Sequence, residues 1–191
     1  ERLLGLKLDA PILLVTYHPL TLDSKGLSSV SSLLDALDAQ NGTRIVFTGA
    51  NADALGQEIN AQIHSFCAAR PNQAIQVPSL GVSRYLNLMA MSEVVIGNSS
   101  SGLLEAPYVG VPTVNIGLRQ RGRLQAPAVV NCNDTTEDIL ASIKKARSTE
   151  LREIATRRET PYGAPGASEK IIEVLRNLDL EGILFKRFHY K

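Results

Sequence analysis

The chain has 191 residues, of which 44% are hydrophobic and 20% are charged, an ordinary balance for a globular protein. Its formal net charge is +1, so no overall field draws it to nucleic acid or to an anionic membrane surface, and any anion site must be local. The longest apolar run, APILLV, is far shorter than the roughly 20 residues that span a bilayer, and no signal-peptide pattern precedes it. We therefore expect a cytoplasmic protein whose partners are neither nucleic acid nor membrane.

The two cysteines, Cys67 and Cys132, lack the spacing of metal ligands. Unpaired cysteines are commonly small buried apolar residues, which suits a reducing compartment, so we expect neither a disulfide nor a metal. The sequence begins at Glu1 without a methionine, immediately before a segment that is typical of a buried strand. We interpret this start as the beginning of a fragment of a longer protein.

Apolar strands alternate with amphipathic helices along the chain. Residues 11–19 form an apolar run closed by a proline, which is typical of a strand buried on both faces, and residues 24–40 carry an apolar stripe at helical spacing. Further strands are predicted at 44–49, 74–77, 93–97, 113–117 and 128–132, and further helices at 55–66, 85–91, from the serines at 99–101, from 135, and at 168–178. This order predicts a three-layer α/β domain with a parallel sheet of about six strands.

Polar residues follow four of the predicted strands. They are Tyr17 to Pro19, Thr48 to Asn51, Gly97 to Gly102, and Gly117 to Arg119. Because ligands of such sheets bind beyond the carboxyl ends of the strands, we expect these segments to meet at one ligand-binding edge.

Three consecutive serines, Ser99 to Ser101, lie where a strand gives way to a helix. Gly97 and Gly102 allow a tight turn, and the first N–H groups of a helix point outward toward an anion. The segment therefore predicts a phosphate-binding cradle. A serine that only caps the helix, Ser99 or Ser100, is the alternative, although it assigns no role to the other hydroxyls. The nucleophile motif G-x-S-x-G and a phosphate loop ending in Gly-Lys-Ser/Thr are both absent.

Four more residues are candidates for the same edge. Glu105, one helical turn after the serines, either offsets the helix dipole or accepts hydrogen bonds from ribose hydroxyls. Arg119 directly follows a strand and either binds a diphosphate or is a solvated surface arginine. His18 precedes a proline, which favours an extended backbone, and is either a proton carrier or a structural residue. Tyr85 either offers an aromatic face to a base or packs in the core.

Six short segments, spread over essentially the whole chain, carry a family resemblance. They are VTYHP, TGANAD, YLNLM, VIGNSSSGLLEAP, GVPTVNIGLRQRGR and ILFKRFHYK. Together they resemble the C-terminal half of the hydrolysing UDP-N-acetylglucosamine 2-epimerases. The non-hydrolysing relatives carry a TDSGG variant of the serine segment and lack the RQxGR ending, so this sequence is similar to the hydrolysing branch.

The resemblance implies two Rossmann-like domains in a GT-B arrangement, with the substrate held between them. Residues 1–191 would be a single C-terminal, UDP-binding domain, and the N-terminal domain would be absent from the chain. In the implied site, which needs no cofactor, Ser99, Ser100, Ser101 and Gly102 bind the diphosphate, Arg119 binds the phosphates, Glu105 binds the ribose, Asn51 and Tyr85 lie on the uridine side, and His18 assists the chemistry.

The implied reaction eliminates UDP from UDP-GlcNAc, and water then adds to the glycal, which releases N-acetylmannosamine for sialic-acid-type sugar biosynthesis. Other essential side chains belong to the N-terminal domain in this family, so we expect this chain alone to be inactive and the full-length enzyme to be a homo-oligomer. Three alternatives stay open: an epimerase acting on UDP-2,4-diacetamido-trideoxy-glucose, a GT-B glycosyltransferase donor-binding domain, and a nucleotide-binding module without chemistry of its own.

Overall fold

The computed structural model of the chain describes residues 4–19, 26–50 and 55–185. The strands in these ranges are β1 (Ile12–Thr16), β2 (Arg44–Thr48), β3 (Ala74–Val77), β4 (Val94–Gly97), β5 (Thr113–Ile116) and β6 (Val129–Cys132). The helices are α1 (Gly26–Asp38), α2 (Gly56–Ala68), α3 (Gly81–Met91), α4 (Ser101–Val109), α5 (Thr136–Ala146), α6 (Thr149–Thr156) and α7 (Ala167–Arg176). The chain divides into two compact units, Glu1–Pro161 and Tyr162–Lys191.

The strands of the first unit form one parallel sheet in the order β3-β2-β1-β4-β5-β6. The chain builds outward from β1 to β3 and then continues on the other side of β1, so the strand order reverses between β1 and β4. Open sheets of this kind bind ligands in the crevice at that reversal, beyond the carboxyl ends of the strands. The register places Thr16 of β1 beside Gly97 of β4, so the segments that follow these two strands lie side by side.

Strand β1 shows why helices cover both faces of the sheet. All five of its residues are buried, and they alternate between two separate cores: Leu13 and Val15 belong to one, Ile12 and Leu14 to the other. Helices α1, α2, α5 and α6 contribute to the first core, and α3 and α4 to the second. Burying one such side chain stabilises the fold by about 1.5–3 kcal/mol relative to its exposure, so neither face is left open to water. The predicted three-layer α/β architecture is confirmed.

Helix α6 was not predicted from the sequence. Ser148 caps it, since its Oγ accepts a hydrogen bond from the Leu151 N–H at 3.3 Å, and Leu151 and Ala155 are its buried residues. Eight residues are too few to show a clear apolar stripe, so the capping serine is the sequence feature that indicates this helix. Helix α3 begins at Gly81, four residues before the predicted start.

The second unit contains α7, which has no buried residue. Nowhere in the ranges 4–19, 26–50 and 55–185 is there a helix that is both long and apolar enough to cross a membrane. Both cysteines are free thiols. Cys67 packs in the larger core as predicted, whereas Cys132 is only half-buried, and burial raises the pKa of each thiol to about 11.

Candidate functional site

The turn between β4 and α4 depends on Gly97. Its φ is +136°, and a Cβ at this position would lie 2.0 Å from the backbone oxygen of Thr16. The Asn98 N–H donates to the same oxygen at 3.2 Å. Only glycine therefore lets the chain pass this close to β1 as it enters the serine run.

Gly97→Ala is expected to lower the free energy of unfolding by about 1–3 kcal/mol, because the new methyl group must displace the β1 backbone. Urea denaturation of this chain measures the loss. Gly42→Ala is the matched control, since Gly42 also has a positive φ (+70°) but its Cβ position has no atom within 4 Å. Equal losses in the two variants would contradict the steric origin of the effect.

The serine run leaves several donors at the start of α4. Ser100 is the N-cap residue, yet its side chain makes no cap hydrogen bond. The Oγ of Ser99 accepts hydrogen bonds from the N–H and the Oγ of Ser101, at 3.3 and 3.1 Å. The backbone N–H groups of Ser99 and Ser100 have no acceptor within the described part of the chain. Capping therefore does not use the Ser100 hydroxyl, and two amides remain for an anion.

Gly102 supports the packing of the same helix. Its N–H donates to the Ser99 oxygen at 3.2 Å, and a Cβ would lie 2.7 Å from Cγ2 of Thr113 in β5. The Thr113 Oγ1 donates to the Gly102 oxygen at 2.8 Å, which ties α4 to the sheet. The predicted contact between Gly102 and a ligand stays a prediction.

Asn98, for which the sequence predicts no individual role, joins three of the polar segments. Its side chain is fully buried: Oδ1 accepts from the His18 N–H and Nδ2 donates to the His18 oxygen, both at 2.8 Å. Its backbone oxygen accepts from Arg119 Nη1 at 3.2 Å and from Gln120 Nε2 at 2.7 Å. One residue thus fixes the segment after β1 and the segment after β5 against the serine run. The sequence feature that could have indicated this role is an asparagine at a strand end. Its carboxamide can donate to and accept from a backbone as another peptide group does.

Two charged side chains near the serine run have no partner of opposite charge in the described ranges. Arg119 is half-buried and makes none of the salt bridges found there. Glu105 follows Ser101 by one turn of α4, and its buried Oε2 has no hydrogen-bond partner. A buried carboxylate oxygen left unpaired is costly, which makes Glu105 a candidate contact for a polar ligand. Arg119 is a second candidate, because its charge pairs with no carboxylate in the described ranges.

A pocket of about 310 Å³ lies where the segments after β2 and β3 meet the start of α3. It is lined by Thr48, Gly49, Pro78, Ser79, Leu80, Gly81, Val82 and Tyr85. The Tyr85 Oη lies 2.7 Å from the Ser101 Oγ, so this aromatic side chain bridges the pocket and the start of α4. The volume is at the lower end of the range typical of small-molecule sites.

Of the other two predicted site residues, the structure describes His18 but not Asn51. His18 is buried, and its backbone is held by Asn98, whereas the part it takes in chemistry stays a prediction. Asn51, predicted on the uridine side, lies outside the described residues. Within the ranges that the structure describes, no cluster of three or more His, Cys, Asp or Glu side chains is arranged to hold a metal ion.

The strand order, with its reversal between β1 and β4, defines a doubly wound, Rossmann-like protein. Residues 3–176 match the family model described as UDP-N-acetylglucosamine 2-epimerase, and the chain belongs to this family. The resemblance to its hydrolysing branch, inferred from the motifs, is confirmed by the relatives.

The chain is 36% identical over 190 residues to a protein of Campylobacter jejuni named GDP/UDP-N,N'-diacetylbacillosamine 2-epimerase (hydrolyzing), covering 98% of this chain and 49% of the relative. It is 27% identical over 184 residues to the UDP-N,N'-diacetylbacillosamine 2-epimerase (hydrolyzing) of Legionella pneumophila, covering 96% and 47%. The crystal structure of a UDP-GlcNAc 2-epimerase from Neisseria meningitidis bound to UDP-GlcNAc has a TM-score of 0.64 at 18% identity, covering 90% of this chain and 45% of that one, and shows the likeness in fold. The chain spans about half the length of the curated relatives it matches.

Proposed function

We propose that residues 1–191 are the C-terminal, UDP-binding domain of a hydrolysing UDP-sugar 2-epimerase with a GT-B arrangement. The observation that carries the proposal is the start of α4, where unpaired amides of Ser99 and Ser100 lie at the strand-order reversal and Arg119 is held beside them. Backbone amides at a helix start and a guanidinium group are the donors that a diphosphate requires.

The neighbouring groups support a position for the rest of the nucleotide. Tyr85 lines the pocket and its hydroxyl contacts Ser101 of the serine run, and we place the base in that pocket, against the aromatic ring. The buried oxygen of Glu105 would accept a hydrogen bond from a ribose hydroxyl, which removes the cost of leaving it unpaired. The diphosphate, the ribose and the base thereby each meet groups of matching chemistry.

In the proposed reaction, a base removes the proton at C2 of the sugar, and UDP leaves from C1 as an anion. Donors at the serine run and Arg119 lower the barrier, because they are placed where the negative charge of the leaving diphosphate develops. Water then adds at C1, and C2 is reprotonated from the opposite face. These proton transfers need groups on both faces of the sugar. We assign His18 to one of them, and side chains of a second domain to the others.

The preferred sugar in this proposal is a 2,4-diacetamido-trideoxy hexose. The relative at 36% identity over 98% of this chain is named for N,N'-diacetylbacillosamine, which is a sugar of that class. UDP-N-acetylglucosamine is the second candidate, favoured by the description of the family as a whole. Measuring the turnover of both UDP-sugars by a protein that contains both domains distinguishes them.

This chain by itself is expected to bind UDP but to turn over neither UDP-sugar, because it has the phosphate donors without the acid–base groups of a second domain. Isothermal titration calorimetry with UDP, and a coupled UDP-release assay with both sugars, measure the two properties. GDP serves as the comparison ligand, since one relative is named for both nucleotides. Tighter binding of GDP than UDP would reject the uridine assignment, and robust turnover by this chain would reject its role as half of the active site.

A further inference from the structure

Five hydroxyl groups form a continuous chain between the pocket and the serine run. Thr48 Oγ1 lies 2.6 Å from Thr16 Oγ1, which lies 3.4 Å from Tyr85 Oη. Tyr85 Oη lies 2.7 Å from Ser101 Oγ, which donates to Ser99 Oγ at 3.1 Å. The chain starts at a residue that lines the pocket and ends at the residue that precedes the helix cap.

The number of protons fixes the direction of this chain. Each hydroxyl has one proton to donate. Because Ser101 donates its proton to Ser99, it can only accept from Tyr85, and Tyr85 then accepts from Thr16. By the same reasoning Thr16 accepts from Thr48. All four hydrogen bonds therefore point toward Ser99, whose own hydroxyl proton has no acceptor among the residues that the structure describes.

The first two residues in this row of hydroxyl groups, Thr48 and Thr16, are shielded from solvent. Thr16 is 6% exposed and Thr48 is 8% exposed, while Tyr85 is half-buried. Little of either threonine is therefore open to water, which limits how readily water replaces a link that is removed. Hydrogen bonds in a low-dielectric chain polarise one another, so each upstream donor makes the last hydroxyl a better donor.

We propose that Tyr85 is a positioning residue for anion binding: its hydroxyl orients Ser101 so that the Ser99 hydroxyl donates to a phosphate oxygen of the nucleotide. The inference rests on the proposed function, which supplies the diphosphate as the anion. It adds a second role to Tyr85, because this residue also lines the pocket in which the base is proposed to lie. Tyr85→Phe separates the two roles, since it keeps the ring and removes only the hydroxyl that joins Thr16 to Ser101.

Calorimetry on the protein of residues 1–191, with UDP and with uridine as ligands, tests the proposal. Tyr85→Phe is expected to weaken UDP binding about three- to tenfold, the usual effect of one lost hydrogen bond, and to change uridine binding by less than about twofold. Thr16→Val, which has nearly the same shape, cuts the chain one step earlier and should weaken UDP selectively in the same way. Tyr108→Phe is the matched control, because Tyr108 is on α4 but is 49% exposed and outside the chain of hydroxyls.

A double-mutant cycle with Ser99→Ala shows whether the effect passes through Ser99. In that background Tyr85→Phe should change UDP affinity by less than about twofold, because the terminal donor is already gone. An equal loss in both backgrounds, or an equal loss for uridine and UDP, overturns the proposal. So does unchanged UDP binding in Tyr85→Phe, while the proposed function survives if Arg119→Ala still weakens UDP. If the unmodified chain binds no UDP, both the function and this inference fail.

Discussion

Replacing Arg119 with alanine is expected to weaken UDP binding about ten- to hundredfold, because a hydrogen bond to a charged group contributes roughly 1.5–3 kcal/mol. Uridine has no phosphate, so its affinity should change little. Ser100→Ala should show the same selectivity, since its hydroxyl is not used by the helix cap. Isothermal titration of this chain with both ligands measures the two effects.

Two further variants make this experiment specific. Glu105→Ala should weaken uridine and UDP equally, because its proposed partner is the ribose that both ligands contain. Arg123→Ala is the matched control for charge, since Arg123 is exposed and follows the same strand. If Ser100→Ala lowers the stability by about 1 kcal/mol while the preference for UDP over uridine is kept, the serine only caps the helix and the phosphate cradle is rejected.

His18→Ala should lower kcat about 10²- to 10⁴-fold in the full-length enzyme, as is usual when a general acid or base is removed, with little effect on UDP affinity. Steady-state kinetics with the UDP-sugar, together with calorimetry with UDP, separate the two quantities. His64→Ala is the control, because His64 is exposed on α2. If rate and affinity fall in step, His18 contacts the ligand and transfers no proton.

Much of the fold could be predicted because apolar periodicity reports burial directly. The apolar run that contains β1 is typical of a strand covered on both faces, and the sheet has such a strand near its centre. The strand order could not be predicted in the same way, because periodicity shows which residues are buried and not which strands pair. The reversal between β1 and β4, beside which the candidate site lies, depends on contacts between residues some 80 positions apart in the sequence.

Parts of the candidate site could be proposed from the sequence for a similar reason. Glycines at a strand end allow a tight turn, and serines beside them add hydroxyl donors to the amides of a helix start. The segment from Gly97 to Ser101 therefore indicated an anion site from composition and position alone. The side chain of Asn98 could not be assigned, because it pairs with a backbone 80 residues earlier. The hydroxyl of Tyr85 was missed as well, since its partners lie on segments that only the folded sheet brings together.

A mutation of Asn98 affects the hydrogen bonds of its side chain and those of its backbone differently. His18 is held by the side chain of Asn98, whereas Arg119 and Gln120 are held by its backbone oxygen, which every amino acid possesses. A substitution at position 98 therefore removes the hydrogen bonds that hold the His18 segment and keeps the backbone oxygen that holds Arg119 and Gln120. Natural drift or laboratory selection at position 98 can thus retune the histidine segment separately, while the arginine segment changes only through substitutions elsewhere.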